Sequence, residues 1–321
     1  MALLTLFTTP KPFKDPHIVT IQRNALRSWK ALGKDVEIVL VGDEHGMPEI
    51  AEEFGLIHRP EARINEQGTP LISSIFDLGR AENSSPYLAY VNTDIILFPD
   101  FIETLKTIGS QLQKFLLVGQ RYDMDILEEL PFEDGWQKEL LHQAQTQGKR
   151  HARAGSDYFI FPRACFKDIP DFSVGRAGWD NWMIFKGRKE KWTVVDCSED
   201  INIIHQNHDY SHLPGGQIHY RQPETGVNIR LAGGRRTIFD LDDSAKRVVN
   251  GKLLPMPRSR ARCLRELIHW PLLNLGWYGA SQFLFKTFKP EQAKREAERQ
   301  KEMDAALAAL AVQHGGQKGG Q

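Results

Sequence analysis

Asn92-Thr93-Asp94 ends an apolar run, Tyr87 to Val91, in this chain of 321 residues. An acid at the end of a strand can hold a hard divalent ion through oxygen. Such an ion can bridge two phosphates and neutralise charge on a departing diphosphate. Asn92 and Asp94 are two apart, so on extended backbone they face the same side. The plainer role for Asp94 is to close the turn before Ile95. Much later in the chain, His205-Gln206-Asn207-His208 offers two imidazoles that would complete a metal set with Asp94 and Asn92; packing within a loop, or contact with an acceptor, is the competing reading.

A second constellation is Gly175-Arg176-Ala177-Gly178-Trp179-Asp180-Asn181-Trp182. The glycines approach a helix start, whose N–H groups favour an anion. A carboxylate there, Asp180, can take a proton from a hydroxyl or hold a sugar hydroxyl. Trp179 and Trp182 offer flat faces for a sugar ring, with Asn181 between them. The bland version makes Asp180 the helix cap and the tryptophans core. Smaller signals are Thr8, Thr9 and Lys11 after the first strand, Asp43 after the second, Arg121 after a later one, and Asp157 before a further strand. Hydroxyls, an ammonium and a guanidinium there suit nucleotide and phosphate. Asp157 suits donor sugar or acceptor, unless it only bonds its own turn.

The elements that must position these residues follow from periodicity. Leu3 to Phe7, Val36 to Val41, Leu56 to His58, Tyr87 to Val91 and Phe115 to Val118 read as strands. Helical patterns separate them over 17–32, 48–54, a segment opened by Thr69 and Pro70, and 99–114. Strand and helix alternating this way predict an α/β, mostly parallel sheet with helices on both faces, and ligands at the carboxyl ends of its strands. Further strands are expected at 157–161 and 192–195, with a helix from Trp179 and a polar connecting region over 123–153. The chain divides into residues 1–212, holding the nucleotide and catalytic elements, an irregular connection over 213–257, a helical region over 258–311 and a disordered tail over 312–321.

Composition excludes some classes. Lys and Arg together equal Asp and Glu, 41 each, so no basic excess marks a nucleic-acid partner. Three cysteines without paired spacing fit neither a disulfide framework nor a zinc site, and point to a reducing, cytoplasmic setting. The N-terminal run is too short for a signal segment and reads as a first strand. From Arg258 to Lys289, aromatic and aliphatic side chains alternate with cations, while His269, Pro271, Asn274 and Gln282 interrupt the apolar stretch. That pattern suits either packing of the aromatics back onto the catalytic domain or peripheral contact with a membrane interface, and is poor for a span.

The motifs together resemble the GT-A class of glycosyltransferases, within the nucleotide-diphospho-sugar transferase superfamily, and most of all a little-characterised plant and microbial group. The residues carrying the resemblance run from Leu4 to Phe13, Gly68-Thr69-Pro70, Tyr90 to Ile95, Gly155 to Phe159, Gly178 to Trp182 and His205 to His208. It covers about residues 3–212 and leaves the last third uncovered. The resemblance implies a GT-A, Rossmann-like fold, a nucleotide-sugar donor and Mn2+ or Mg2+. The family's Asp-x-Asp signature falls on Asn92 and Asp94, so an amide replaces the first carboxylate, and His208 or a water compensates. By placement, Asp180 is the position similar to the base of inverting members.

The expected activity is transfer of a sugar from the nucleotide-sugar to an acceptor hydroxyl of a glycan, a lipid-linked sugar or a small molecule. Two other readings remain: a sugar-phosphate nucleotidyltransferase, which wants a Gly-rich loop that Thr8 to Pro12 lacks, and a non-catalytic sugar-binding relative, which the amide at Asn92 would suit.

Overall fold

The computed structural model describes residues 2–208 and 222–317. In chain order its elements are β1 (Leu4–Thr8), α1 (Pro16–Lys30), β2 (Val36–Val41), α2 (Met47–Phe54), β3 (Ile57–Arg59), α3 (Ile72–Ala81), β4 (Tyr87–Val91), β5 (Ile95–Leu97), α4 (Asp100–Gly109) and β6 (Phe115–Val118). There follow β7 (Tyr122–Met124), α5 (Trp136–Gln147), β8 (Lys149–Arg150), β9 (Tyr158–Pro162), α6 (Trp179–Lys189), β10 (Thr193–Asp196) and β11 (Ile203–Gln206). The last described elements are α7 (Pro223–Leu231), β12 (Lys246–Val249), β13 (Lys252–Pro255), α8 (Arg260–Leu275), α9 (Tyr278–Phe288) and α10 (Pro290–Gln317).

Nine strands form one sheet in the order β13-β12-β10-β6-β9-β4-β1-β2-β3. The pairs β3–β2, β2–β1, β1–β4, β6–β10 and β10–β12 are parallel. β9 runs against both of its neighbours, β4 and β6. Its start therefore lies at the edge where the parallel strands end. β1, β4, β6 and β9 are almost wholly buried apolar runs, as strands covered on two faces must be. One face packs on α1, α2 and α4 through Trp29, Met47, Ile50, Phe101 and Leu105. The other packs on α3, α6 and α8 through Ile75, Phe76, Trp182, Met183 and Leu272. α1 begins where the sequence allows it: Asp15 accepts from the N–H groups of His17 and Ile18, and Pro16 takes the first turn. Its Trp29 donates to Ile95 O at 2.8 Å and fixes the segment after β4.

A second, four-stranded sheet, β5-β11-β7-β8, stands at the same edge. Its register sets His205 opposite both Ile95 and Asp123. Residues 123–153, expected as a polar connection, supply two of its strands and α5, whose Leu140 and Ala144 pack under it.

Three expectations change. Thr69 and Pro70 do not open a helix: Asn65 Oδ1 accepts from Thr69 N at 2.9 Å, Pro70 bridges to Ile64, and α3 starts at Ile72. The asparagine's turn captures the N–H that a helix start would have used. The helix expected over 99–114 stops at Gly109, where an added Cβ would meet the Tyr87 ring. The stretch 213–257 is ordered where described, with α7, β12 and β13, the strands extending the main sheet beyond β10. The expected boundary at 212 lies outside the described residues, as do 318–321 of the tail; α10 continues through Gln317. Among the described residues no helix is long and apolar enough to cross a membrane.

Candidate functional site

The carboxyl ends of the parallel strands and the start of β9 bring most of the sequence candidates to one edge. Thr8, ending β1, is buried and shares a hydrogen bond of 2.8 Å with Thr93 Oγ1. That contact ties the first strand to the turn carrying Asp94. The buried Gln22 of α1 accepts from Lys11 N at 2.7 Å and donates to Lys11 O at 3.0 Å, fixing the loop after β1. The Lys11 ammonium reaches 3.3 Å from Asp94 Oδ2 and 2.7 Å from His208 Nε2.

Asp94 is the centre of this group. His208 Nε2 lies 3.1 Å and His205 Nε2 3.9 Å from its Oδ2. One ligand atom from each of Asp94, His205 and His208 falls within 4.8 Å of the others. Burial pushes the Asp94 carboxyl up, but Lys11 and the two imidazoles outweigh it and hold it well below the usual range. Asp94 Oδ1 is buried without a hydrogen-bond partner. His208 Nε2 cannot both accept from Lys11 and donate to Asp94. An acceptor Nε2 leaves its lone pair and the carboxylate turned toward one cationic point.

A row of paired charges continues from there. His205 Nδ1 is 3.5 Å from Asp123 Oδ1, too long for a sound hydrogen bond but close enough for attraction. Asp123 also meets His151 Nδ1 at 2.7 Å and Arg121 Nε at 2.7 Å. Burial alone would raise the Asp123 carboxyl; the two histidines and Arg121 hold it far below its usual range. Arg121 Nη1 donates to both oxygens of Asp157 at 2.6 Å, and Asn92 Nδ2 donates to Asp157 Oδ1 at 3.0 Å. Asp157 is only 4% exposed.

Asp180 differs. It lies in the first turn of α6, after Gly178, whose φ of 110° favours glycine and turns the chain into the helix. Its Oδ1 accepts from Gly178 N at 3.2 Å. Burial, with a smaller push from the Asp157 charge, raises this carboxyl to about 6 against the backbone donors that favour its anion. Asp180 is not the helix cap; Gly178 holds that position.

Several expected contacts are corrected. Trp179 is 5% exposed, with its ring against Tyr90, Phe76 and Phe159, and Trp182 packs on Phe172. Their spacing of three puts both on the helix face that covers the sheet, so neither offers a face to a sugar. Asn181 Nδ2 donates to Phe239 O at 2.6 Å and Ala154 O at 3.1 Å, which makes it a tie between loops. Arg121 is held by two carboxylates and has little left for a phosphate. The Asn92 amide nitrogen donates to Asp157, which fixes the orientation of the amide. Thr9 Oγ1 bonds Val41 O, which joins the ends of β1 and β2, and Asp43 beside it is exposed. Asp123 and His151 were not singled out in the sequence. The nearest signal was Arg121, two residues before Asp123; His151 had none.

Neither a protein-family model nor a curated protein matches the sequence. Solved structures do match in shape. S. aureus TarS 1-349 in complex with UDP-GlcNAc is 12% identical, with a TM-score of 0.51 over 98% of this chain and 92% of that one. M. tuberculosis glucosyl-3-phosphoglycerate synthase with Mg2+ and UDP is 12% identical, with a TM-score of 0.44 over 73% of this chain and 80% of that one. A longer TarS structure from S. aureus is covered over only 39% of its length. The likeness to TarS 1-349 extends over nearly the whole of both chains, and with the strand order above it establishes that this chain has the GT-A fold.

Proposed function

We propose that the protein transfers a sugar from a nucleotide-sugar donor to an acceptor hydroxyl, with residues 1–212 carrying the catalytic machinery. The observation that carries this reading is the buried Asp94 carboxylate, with one unpartnered oxygen, ringed by His205, His208 and Lys11 at the carboxyl end of β4. The TarS structure of like fold holds UDP-GlcNAc, which supports a donor of this class.

The residues at Asp94 fit a divalent ion. Asp94, His205 and His208 would hold it, and one carboxylate with two imidazoles suits Mn2+ better than Mg2+. When bound, such an ion supplies positive charge that steadies the departing diphosphate. Lys11 brings a further cation to the same point, Thr9 and Asp43 stand beside it for the nucleotide, and the buried Thr8 holds the Asp94 turn through Thr93. Asp180, as the anion, takes the proton of the acceptor hydroxyl. The acceptor oxygen bonds to the anomeric carbon as the bond from that carbon to the diphosphate oxygen breaks. The bonding pair leaves with the diphosphate, and the configuration inverts. Asp157, held in place by Arg121, raises the proton affinity of Asp180 from a fixed position.

We assign the setting as cytoplasmic, in keeping with three free cysteines. Residues 258–289 make peripheral contact with a membrane: Leu267, Trp270, Trp277 and Phe283 are 50–68% exposed on α8, α9 and the corner between them, near Arg258, Arg260 and Lys286.

The test is release of nucleoside diphosphate from a panel of nucleotide-sugars by the purified chain, with Mn2+ and with chelator. Asp94→Ala should abolish metal-dependent nucleotide binding with thermal unfolding unchanged. An intact donor throughout the panel, or unaltered Mn2+ affinity in that variant, would sink the assignment.

A further inference from the structure

Beyond Gly178 and Asn181, at the start of α6, a cavity of about 1710 Å3 opens between the sheet and the C-terminal helices. The strand order puts it on a particular side. Lys11, Thr9 and Asp43 follow β1 and β2, on one flank of β4. The cavity wall includes Asp196 at the end of β10 and Arg247 of β12, on the other flank. Asp180 stands beside the cavity, on the helix turn that forms part of its wall.

Basic side chains outnumber acidic ones along this wall, nine to six. Five of the acids already have partners: Asp196 and Asp242 with Arg153, Asp240 with Arg265, Glu296 with Arg236, and Glu199 with Arg150. Among the described residues, Arg235 and Arg247 have no carboxylate partner within salt-bridge distance. Arg235 makes only a 3.1 Å bond to Gln300 Oε1 and a 3.2 Å contact with Met303 Sδ. Arg247 Nε is buried with no hydrogen-bond partner, and so are Arg236 Nε and His269 Nδ1, all on residues of the same wall. A guanidinium in the wall of a polar cavity with no carboxylate partner is costly unless an acceptor meets it. A guanidinium presents a planar fork that matches phosphate oxygens two at a time. The volume also exceeds what one sugar fills.

We propose that this cavity binds a phosphoryl group on the acceptor, with Arg235 and Arg247 as its principal donors. Calling the ligand the acceptor rests on the transfer reading above; binding of the phosphoryl group does not. The group can come from a soluble sugar phosphate or from a lipid headgroup, and the chemistry of capture is the same.

Calorimetric titration of the full chain with glucose 6-phosphate, in chelator and without donor, tests this, with glucose as the uncharged control. Glucose 6-phosphate should bind where glucose does not. Arg235→Gln combined with Arg247→Gln should weaken it by about tenfold or more, and Asp94→Ala should leave it unchanged. In parallel, sedimentation with phosphatidylcholine vesicles, with and without phosphatidylglycerol, identifies a lipid source. Loss of phosphatidylglycerol-dependent binding in the double variant, with no glucose 6-phosphate binding by the wild type, supports the lipid form. If the double variant fails to fold, Arg247→Lys keeps the charge and loses the fork, and its weaker glucose 6-phosphate binding or vesicle sedimentation supports the proposal. Glucose binding as tightly as glucose 6-phosphate, loss of binding in Asp94→Ala, or indifference of both probes to the arginine variants overturns it. An inactive transferase that still binds glucose 6-phosphate through these arginines would refute the function above and leave this inference standing.

Discussion

Charges at the strand ends and charges under the C-terminal helices are arranged on different principles. Along the row from Asp94 through Asp123 to Asp157, each carboxylate faces a cation: Lys11 at Asp94, and Arg121 at both Asp123 and Asp157, with imidazoles beside the first two. In the cavity beside α6, Arg235 and Arg247 make no salt bridge among the described residues, although Glu296 lies near Arg235. A paired row fixes geometry, since its carboxylates are held by neighbouring cations, and it leaves Asp94 Oδ1 open toward a ligand. An unsaturated wall does the reverse: it keeps donors unpaired at some cost to stability. Asp180 lies where the two regions meet, with backbone donors but no cation, and its raised proton affinity follows from that position.

The sharpest break of the comparison is at Asp180. Asp180→Asn keeps the size of the side chain and removes the base. Turnover should fall on the order of 10²–10⁴-fold with donor binding retained. The wild type carries the sign of the same argument. Only the anion accepts a proton, so turnover should rise with pH, about tenfold per unit, up to about 6, and level off above it. A flat acid limb in steady-state kinetics, or near-normal turnover of Asp180→Asn, would remove Asp180 from the chemical step.

One substitution made in both regions comes next. Arg121→Met strands the buried Asp157 with only Asn92 as a side-chain donor, and should cost about 3–5 kcal/mol in denaturant unfolding. Arg247→Met removes a side chain that has no partner, and should change stability by less than about 1 kcal/mol. Equal costs would erase the distinction between a saturated and an unsaturated region.

The smallest effect is expected at the surface. Trp277→Ser with Phe283→Ser should weaken binding to anionic vesicles severalfold, and salt should weaken the wild type's binding as well. Vesicle binding that ignores both would leave these side chains without a membrane role.

What the sequence made legible was local. An apolar run ending in Asn-x-Asp, or glycines before a helix, places Asp94 and Asp180 at strand and helix ends, because periodicity alone locates those ends. What it hid was long-range pairing. Asp123, His151 and His205 meet only because β7, β8 and β11 align in the small sheet, and no spacing along the chain announces that register. Trp179 and Trp182 invite the opposite error: aromatic type suggests a sugar platform, whereas a separation of three on a helix lays both against the sheet. Lys11 was readable as a cation near phosphate. That it would share one point with Asp94 and His208 depends on Gln22 gripping its backbone from α1.

The reversed strand β9 has a consequence for how the chain assembles as it is synthesised. β1 to β4 can pair among themselves from residues 4–91 alone, but β6 reaches that half of the sheet only through β9. Until residue 162 has left the ribosome, β4 presents a bare row of backbone donors and acceptors along one side. β6 in the same interval lacks its link to the first half, and β10 has not yet appeared. A nascent chain stalled between β6 and β9 is thus a half-sheet with an open, apolar edge, the form most prone to pair with a neighbour. Chaperone demand during synthesis should concentrate in that interval of roughly forty residues, and a fragment ending before Asp157 should aggregate where the full chain does not.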